Sequence, residues 1–495
     1  MNSNVLIVGA GPVGLTMAID LHRFGVPVRI VEKAAQRTDN SKALVVWSRT
    51  LELLDRLHLT SAFLQRGMKA FGANITSGKE LIAHISFEDV HSTHPYGLMI
   101  PQSETERLLE EHLNSLGVTV DRRVELTALT ANPAGVVSTL RNSSGTLETF
   151  NSSWLIGCDG AHSTVRHQLG MDFIGDTMPS NWILGDVHLQ GVPRPDEISV
   201  AWHASGALAI FPIAGSRYRV IADIVGSTDE SNVHDPTLEE IQAMLNQRGP
   251  GGITASQPVW LAGFHINERK VANYRSGRVF LAGDSAHIHS PAGGQGMNTG
   301  MQDAFNLAWK LALVCRGTCA AEPLLDSYNI ERGAVGEAVL AATGRATMLA
   351  ILQGGIRQSI RNHLASAVFG LAPVREKAAN AMTEISIGYP HSPLNGKGHR
   401  VSGGPAEGER APIREGAPPV GEGDTPRFTL FADHDEHVVP LLQKYGALLD
   451  PELRPPLHPG GLWLVRPDGY VALATKRGAW NEVAAWLDRI AILAS

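Results

Sequence analysis

The chain is poor in cysteine, with three thiols (Cys158, Cys315 and Cys319) in 495 residues. Three thiols cannot form the paired framework of a disulfide-stapled domain, so the fold must rest on its core, and a reducing cytoplasm is expected. Cys315 and Cys319, near the end of a helical pattern, read as structural. No long run of one charge occurs. The 42 basic and 49 acidic residues leave a formal net charge of −7, which argues against nucleic acid as the main partner. No stretch of about 20 uninterrupted apolar residues is present, so no membrane span is expected. The apolar N-terminal run is broken by Gly9, Gly11 and Gly14 and follows no basic region, so it reads as fold rather than secretion signal. No His, Cys or carboxylate set has metal-ligand spacing, so no metal is expected. With 43% hydrophobic and 18% charged residues, the length suits two or three domains.

What is present begins at once. Val5–Val8 is an apolar strand that runs into Gly9-Ala10-Gly11-Pro12-Val13-Gly14, then a helical pattern, then a second strand ending on Glu32 and Lys33. In this G-x-G-x-x-G arrangement the glycines serve a tight turn, backbone approach to a pyrophosphate, and close helix–strand contact. The helix N-terminus presents N–H groups to phosphate, Pro12 suits its first turn, and Glu32 is spaced to accept from a ribose hydroxyl. The segment predicts a bound dinucleotide.

Residues 278–298 indicate which one. An apolar strand delivers Gly283-Asp284, a glycine-rich turn follows from Pro291 through Gly294, Gln295 and Gly296, and a helical pattern starts near Met297-Asn298. Asp284 can accept from a polyol, the glycines let backbone lie against a flat ligand, and the helix dipole favours an anion beside it. A flavin has the polyol chain and a ring that becomes anionic on reduction; a nicotinamide has neither. Between these segments lies Cys158-Asp159-Gly160, followed by Ser163 and Arg166.

In this order the three motifs resemble the class A flavin-dependent monooxygenases, the family of para-hydroxybenzoate, phenol and polyketide hydroxylases. The resemblance covers about residues 1–395. It implies FAD as cofactor, with Asp284 as ribityl ligand and Pro291–Asn298 as the isoalloxazine loop. Asp159 and Arg166 would serve both FAD and the nicotinamide cofactor, and Gln102 would contact the flavin. It also implies NADPH or NADH as transient co-substrate, O₂ as oxidant, and oxygen transfer to an aromatic ring through a flavin C4a-hydroperoxide. Where the family often carries an Arg-Ala pair, this chain reads Lys42-Ala43, which keeps the charge but loses the bidentate fork. Arg49 either shares that load or pairs with Glu52.

The implied fold is α/β: a Rossmann-like FAD-binding domain of the glutathione-reductase type (residues 1–70, 96–170 and 270–392) with a sheet-rich substrate domain (71–95 and 171–269). A Gly/Pro-rich linker or strap (393–427) leads to residues 428–495, which resemble the thioredoxin-like C-terminal domain of phenol and polyketide hydroxylases. That unit lacks cysteine, so a packing role is expected rather than thiol chemistry. A capping box is expected at Ser103–Glu106, and helix through Leu325–Leu352 and Ile356–Ile385.

Substrate candidates are Val46 and Trp47 from the first domain and Trp182, Trp202, Phe211 and Tyr218 from the second, with His203 as a candidate base for a phenolic proton. The expected partner is a small phenolic or polycyclic, polyketide-like aromatic compound, with the protein a monomer or homodimer. Baeyer–Villiger insertion, epoxidation and antibiotic modification are alternatives on the same fold, and a non-oxygenating flavin reductase or sensor is another. The G-W-x-W-x-I-P segment of flavin halogenases is absent.

Overall fold

Val5–Val8, buried throughout, forms a central strand that a parallel neighbour flanks on either side. Val5 pairs with Trp154 on one side and with Val28 on the other. Such a strand is covered on both faces, which explains its unbroken apolar run. In the computed structural model this six-stranded sheet has the order 275–276, 279–281, 154–157, 5–8, 28–32, 120–122, parallel except at the first pair. The model describes residues 4–38, 43–78, 80–224, 234–291, 293–350, 355–398, 401–414 and 416–492. The helix Pro12–Arg23 opens on Pro12, as its fixed φ and missing N–H favour, and packs against helices Gly296–Cys315 and Gln102–Ser115. An antiparallel meander, 125–132, 135–141 and 147–152, leads back into the sheet at Trp154.

A second sheet of eight strands has the order 287–288, 254–270, 174–190, 217–224, 206–212, 198–203, 72–77, 80–86. Its period-2 alternation divides the side chains between two faces. Ile183, Val187, Leu208 and Val220 lie under the helix Leu238–Arg248 with Ile241 and Leu245. Trp182, Leu184, Ala207 and Ile221 face the other way with Ile266 and Phe211. The chain passes between the two sheets several times, and the last passage builds the Gly-Asp turn. Strand 254–270 of the second feeds 275–281 of the first, and His287–Ile288 then returns to pair with Arg269 and Lys270. The Gly283-Asp284 turn sits at this crossing.

The segment 393–427 contains neither helix nor strand among its described residues and runs along the C-terminal unit, where Arg410 bridges to Tyr470. That unit has three antiparallel strands (429–431, 461–465, 471–476) and helices Val438–Tyr445 and Trp480–Asp488. It is held by enclosed charges: Arg466 reaches Glu331 with both terminal nitrogens (2.6 and 2.9 Å), and Lys310 reaches the same carboxylate at 2.7 Å. Arg466 also pairs with Asp468 of its own hairpin turn. Burial alone would push the Glu331 carboxyl up, but Arg466 and Lys310 hold it below the usual carboxylate range.

Two local expectations give way to structure. The helix after Pro101 takes Pro101 as its N-cap and shows no side-chain cap, so Ser103 lies inside the first turn and no capping box forms. The helical run expected over Ile356–Ile385 is divided into Gly355–Phe369 and Ala372–Met382, the break falling where Pro373 can only occupy a first turn.

Glu331→Gln leaves Lys310 and Arg466 short of a counter-charge in a sealed site. The expected cost is about 3–5 kcal/mol in urea unfolding, as for other broken buried pairs; an unchanged midpoint would show that these charges do not hold the C-terminal unit.

Candidate cofactor and active site

The glycines of the first loop divide their tasks. Gly9 has φ +104°, and a Cβ there would lie 2.3 Å from the Cys158 carbonyl oxygen. A Cβ on Gly14 would lie 1.9 Å from the Gly9 carbonyl oxygen. A Cβ on Gly11 would meet nothing within 4 Å, so the space before the helix N-terminus stays open for a ligand. That is the cradle a pyrophosphate needs, beside the positive end of a helix with no acid in its first turn. The Glu32 carboxylate accepts from the N–H of Ala10 (3.0 Å) and of Ala34 (2.8 Å), which fixes the loop and leaves lone pairs for a ribose. Lys33 beside it is exposed.

Asp159 accepts from Ser163 Oγ at 2.6 Å and from the Val165 N–H at 3.1 Å, and so secures the start of helix Thr164–Gln168. Burial raises the Asp159 carboxyl. Arg166 is a stitch: its guanidinium donates to the Ala161 carbonyl (2.7 Å) and the Ser285 carbonyl (3.1 Å), tying the Asp-Gly segment to the Gly-Asp turn. In that turn Gly283 rests on Val13 of the first helix, and Asp284 points outward, exposed.

One residue that sequence reasoning missed holds this turn. Asp303, fully buried on the helix Gly296–Cys315, accepts from the Gly283 N–H (2.9 Å) and from Arg332 Nε (2.6 Å), and pairs with His287 Nε2 (2.8 Å). Burial would raise its carboxyl; Arg332 and His287 reverse the direction and hold it below the usual value. The signal was available: Asp303 is the one acid in the helical pattern from Met297 to Lys310, and a buried acid needs a partner.

The glycine-rich loop is clasped by the backbone and side chain around Trp47. Asn298 accepts from the Trp47 N–H at 2.8 Å and donates to the carbonyls of Val45 (2.8 Å) and Gly294 (3.1 Å). Trp47 Nε1 donates to the Gly293 carbonyl at 2.9 Å. Gly294, at φ +64°, has no room for a side chain, since a Cβ would lie 2.4 Å from Val45. Gln295 donates to the Ala381 carbonyl at 2.8 Å, and Met297 is buried. Pro291 and Gly296 border the same loop, and Ala292 lies outside the described residues. Gln102 fixes the strand that precedes Trp47: its Oε1 accepts from the Ala43 N–H at 3.2 Å, and Lys42 lies outside the described residues. Arg49 pairs with Glu52 at 3.0 Å and donates to the Asp468 carbonyl at 2.8 Å, so of its two readings pairing is the arrangement seen.

Of the substrate candidates, Val46 and Trp47 lie in the segment that clasps the loop, and Trp182 and Phe211 share one sheet face. Val46 and Trp47 are buried in that clasp, and Phe211 belongs both to the core with Val45 and Trp47 and to the sheet face with Trp182. Among the described residues Trp182 Nε1 is buried with no acceptor, an orphan donor on that face. Trp202 sits on the neighbouring strand, paired with Ala207. Tyr218 is placed elsewhere, on the face under helix Leu238–Arg248, and His203 closes a hairpin with its Nδ1 on Ser205 Oγ at 2.7 Å. A second overlooked residue is His289. Its Nδ1 pairs with the Ser290 carbonyl at 3.0 Å, and its buried Nε2, without a partner among the described residues, lies 3.5 Å from the Cβ position of Gly296. Burial and the adjacent His287 lower it to about 4, so the ring is neutral near pH 7 and presents an acceptor beside the loop.

Residues 2–343 match the model of the family described as FAD binding domain. The 6-methylpretetramide 4-monooxygenase of Streptomyces rimosus is 35% identical, over 99% of this chain and 94% of that protein. The pentachlorophenol 4-monooxygenase of Sphingobium chlorophenolicum is 32% identical over 94% of this chain and 86% of that protein. Among solved structures, the OxyS anhydrotetracycline hydroxylase of Streptomyces rimosus superposes with a TM-score of 0.80 at 29% identity, covering 98% of this chain and 99% of that one.

Asp284→Ala should weaken FAD retention by roughly tenfold to a hundredfold, the worth of one charged hydrogen bond, read as flavin lost on dialysis; full retention would remove Asp284 from the site. Glu384, buried against Gln302 and Thr299 of the loop helix, is pushed up to about 8 by burial. Native protein therefore keeps a proton that the unfolded chain releases, and stability should fall by up to about 1.4 kcal/mol per pH unit between about 4.5 and about 8. Denaturation of Glu384→Gln at pH 5 and pH 8 checks this, because the variant should lack that component of the slope.

Proposed function

The chain belongs to the FAD-dependent aromatic monooxygenases, and from that premise we propose that it hydroxylates a phenolic or polycyclic, polyketide-like aromatic compound with NADPH or NADH as reductant. Supporting this reading above all is Phe211, which packs both against the Val45 and Trp47 core that clasps the glycine-rich loop and on the apolar sheet face of Trp182. A flat apolar substrate suits such a face, and the enclosure would keep water from the reacting centre. FAD, when bound, supplies the redox chemistry and the activation of O₂; the chain binds, orients and shields.

In this reading Gly9, Gly11, Pro12 and Gly14 shape the pyrophosphate cradle, with Glu32 and Lys33 at the ribose. Asp159 and Arg166 keep the central segments aligned, and Asp284 takes the ribityl chain. Gln102 and the loop from Pro291 to Asn298 hold the ring, with the dipole of helix Gly296–Cys315 favouring its anionic form. His289 Nε2 beside the loop and Trp182 Nε1 on the sheet face have no protein partner among the described residues, which suits an aromatic ligand carrying both a donor and an acceptor. The relatives' substrates (a pretetramide, a tetracycline, a chlorophenol) are consistent with that class, and their coverage of nearly the whole chain extends the likeness to the C-terminal unit. We take that unit as a thioredoxin-like packing domain, and its lack of cysteine supports this. Three free thiols support a reducing cytoplasm, and among the described residues no helix is long and apolar enough to cross a membrane.

The test is to supply FAD-loaded protein with NADPH or NADH, O₂ and a panel of phenols and polycyclic aromatics, following nucleotide oxidation and product mass together. We expect a substrate-stimulated rate and a product heavier by one oxygen atom. Stimulation that yields only H₂O₂ across the panel would count against the substrate class, and a product with an inserted ring oxygen would replace hydroxylation by the Baeyer–Villiger alternative.

A further inference from the structure

Away from the cofactor site, a cavity of about 170 Å³ lies where helix Ser48–Asp55 meets the strap at 411–420 and the C-terminal unit. A water occupies about 30 Å³ of liquid, so a larger ligand fits. Part of its wall is apolar, with Ile413, Pro418, Phe431 and Pro455. The rest is charged, with arginines in excess: Arg49 and Arg56 from the first domain, Arg414 from the strap and Arg454 from the C-terminal unit, against Glu52 and Glu452.

Arg56 decides the character of this space. It is 6% exposed, yet no carboxylate lies within ion-pair distance of it among the described residues. Its Nη1 donates to the Pro467 carbonyl at 2.8 Å, while its Nε is buried without an acceptor. Its Nη2 rests against Gly469, 2.6 Å from where a Cβ would stand, so the turn glycine leaves room for it. Asp20 and Asp468 are near enough to favour its charge, but Asp20 is paired with Arg23 and Asp468 with Arg466. Burial and the like charge of Arg49 lower the Arg56 guanidinium to about 9.

Among the described residues no other carboxylate pairs with Arg56, although Asp450, Glu422 and Glu452 are near enough to favour the charge of Arg454. Glu52 on the same wall already serves Arg49 and Arg410. Arg454 donates to the Pro418 carbonyl (2.6 Å) and the Pro419 carbonyl (3.4 Å), and Arg414 to the Pro456 carbonyl. A buried guanidinium satisfied by carbonyls alone is costly, and an anion in the adjoining space would offset that cost.

We propose that this cavity binds a small organic anion, a carboxylate or phosphate monoester with an apolar body, with Arg56 as its main counter-charge and Arg454 contributing from the C-terminal unit. Both domains line the cavity, so the bound anion strengthens their docking.

The test is calorimetric titration of FAD-loaded protein with phenyl phosphate and, separately, inorganic phosphate. Phenyl phosphate should bind at one site, about tenfold tighter than inorganic phosphate because its ring meets the proline and phenylalanine wall. Arg56→Met and Arg454→Met should each weaken it by about tenfold or more, as expected for a lost charged hydrogen bond. Arg56→Met also removes an uncompensated charge, so its unliganded unfolding midpoint should not fall far; if that variant does not fold, Arg454→Met carries the comparison. Absence of phenyl phosphate binding at about 1 mM, or undiminished affinity in the variant tested, overturns the proposal.

Discussion

The enclosed carboxylate of Asp303 joins three parts of the chain that lie far apart in sequence. One oxygen takes the Gly283 N–H and His287, and the other takes Arg332, whose guanidinium also reaches the Thr299 carbonyl and Tyr389. A buried carboxylate costs several kcal/mol unless its oxygens are satisfied, so its partners have little freedom to move. The Gly-Asp turn, the loop helix and the helix Asp326–Ala350 are thereby set against one another before any ligand enters.

The helix that carries Asp303 also links the ends of the molecule. Its first turn lies at the glycine-rich loop, where Asn298 is clasped by the backbone around Trp47. Further along, Asn306 and Lys310 reach Glu331 and, through it, Arg466 of the C-terminal unit. The C-terminal unit is therefore fastened to the element that positions the loop, and charge placed at their junction bears on both.

The proposed substrate space follows from the crossing of two sheets. The strand 254–270, the Gly-Asp turn and His287–Ile288 pass between them in one stretch, which brings the segment entering the loop to the edge of the second sheet, one apolar face of which carries Trp182. Trp182, Ile221 and Phe211 are there because strand alternation assigns them to that face, and Tyr218 is not because the same alternation sends it under a helix. A single-residue change of register would exchange the two sets.

What the chain determined by itself was mostly local or tied to a specific backbone shape. The spacing of Gly9, Gly11 and Gly14, Pro12 opening a helix, and the turn at Arg466–Gly469 could be read directly, because glycine and proline limit backbone geometry whatever surrounds them. Tertiary structure decided the rest. Pro101 rather than Ser103 begins its helix, Trp47 is a clasp inside the core, Arg49 is committed to Glu52 and the C-terminal turn, and Asp303 and His289 belong to the site. These outcomes depend on which polar groups burial brings together across long stretches of chain. A buried charge or ring nitrogen has no set partner until folding supplies one, and local spacing carries no record of that choice.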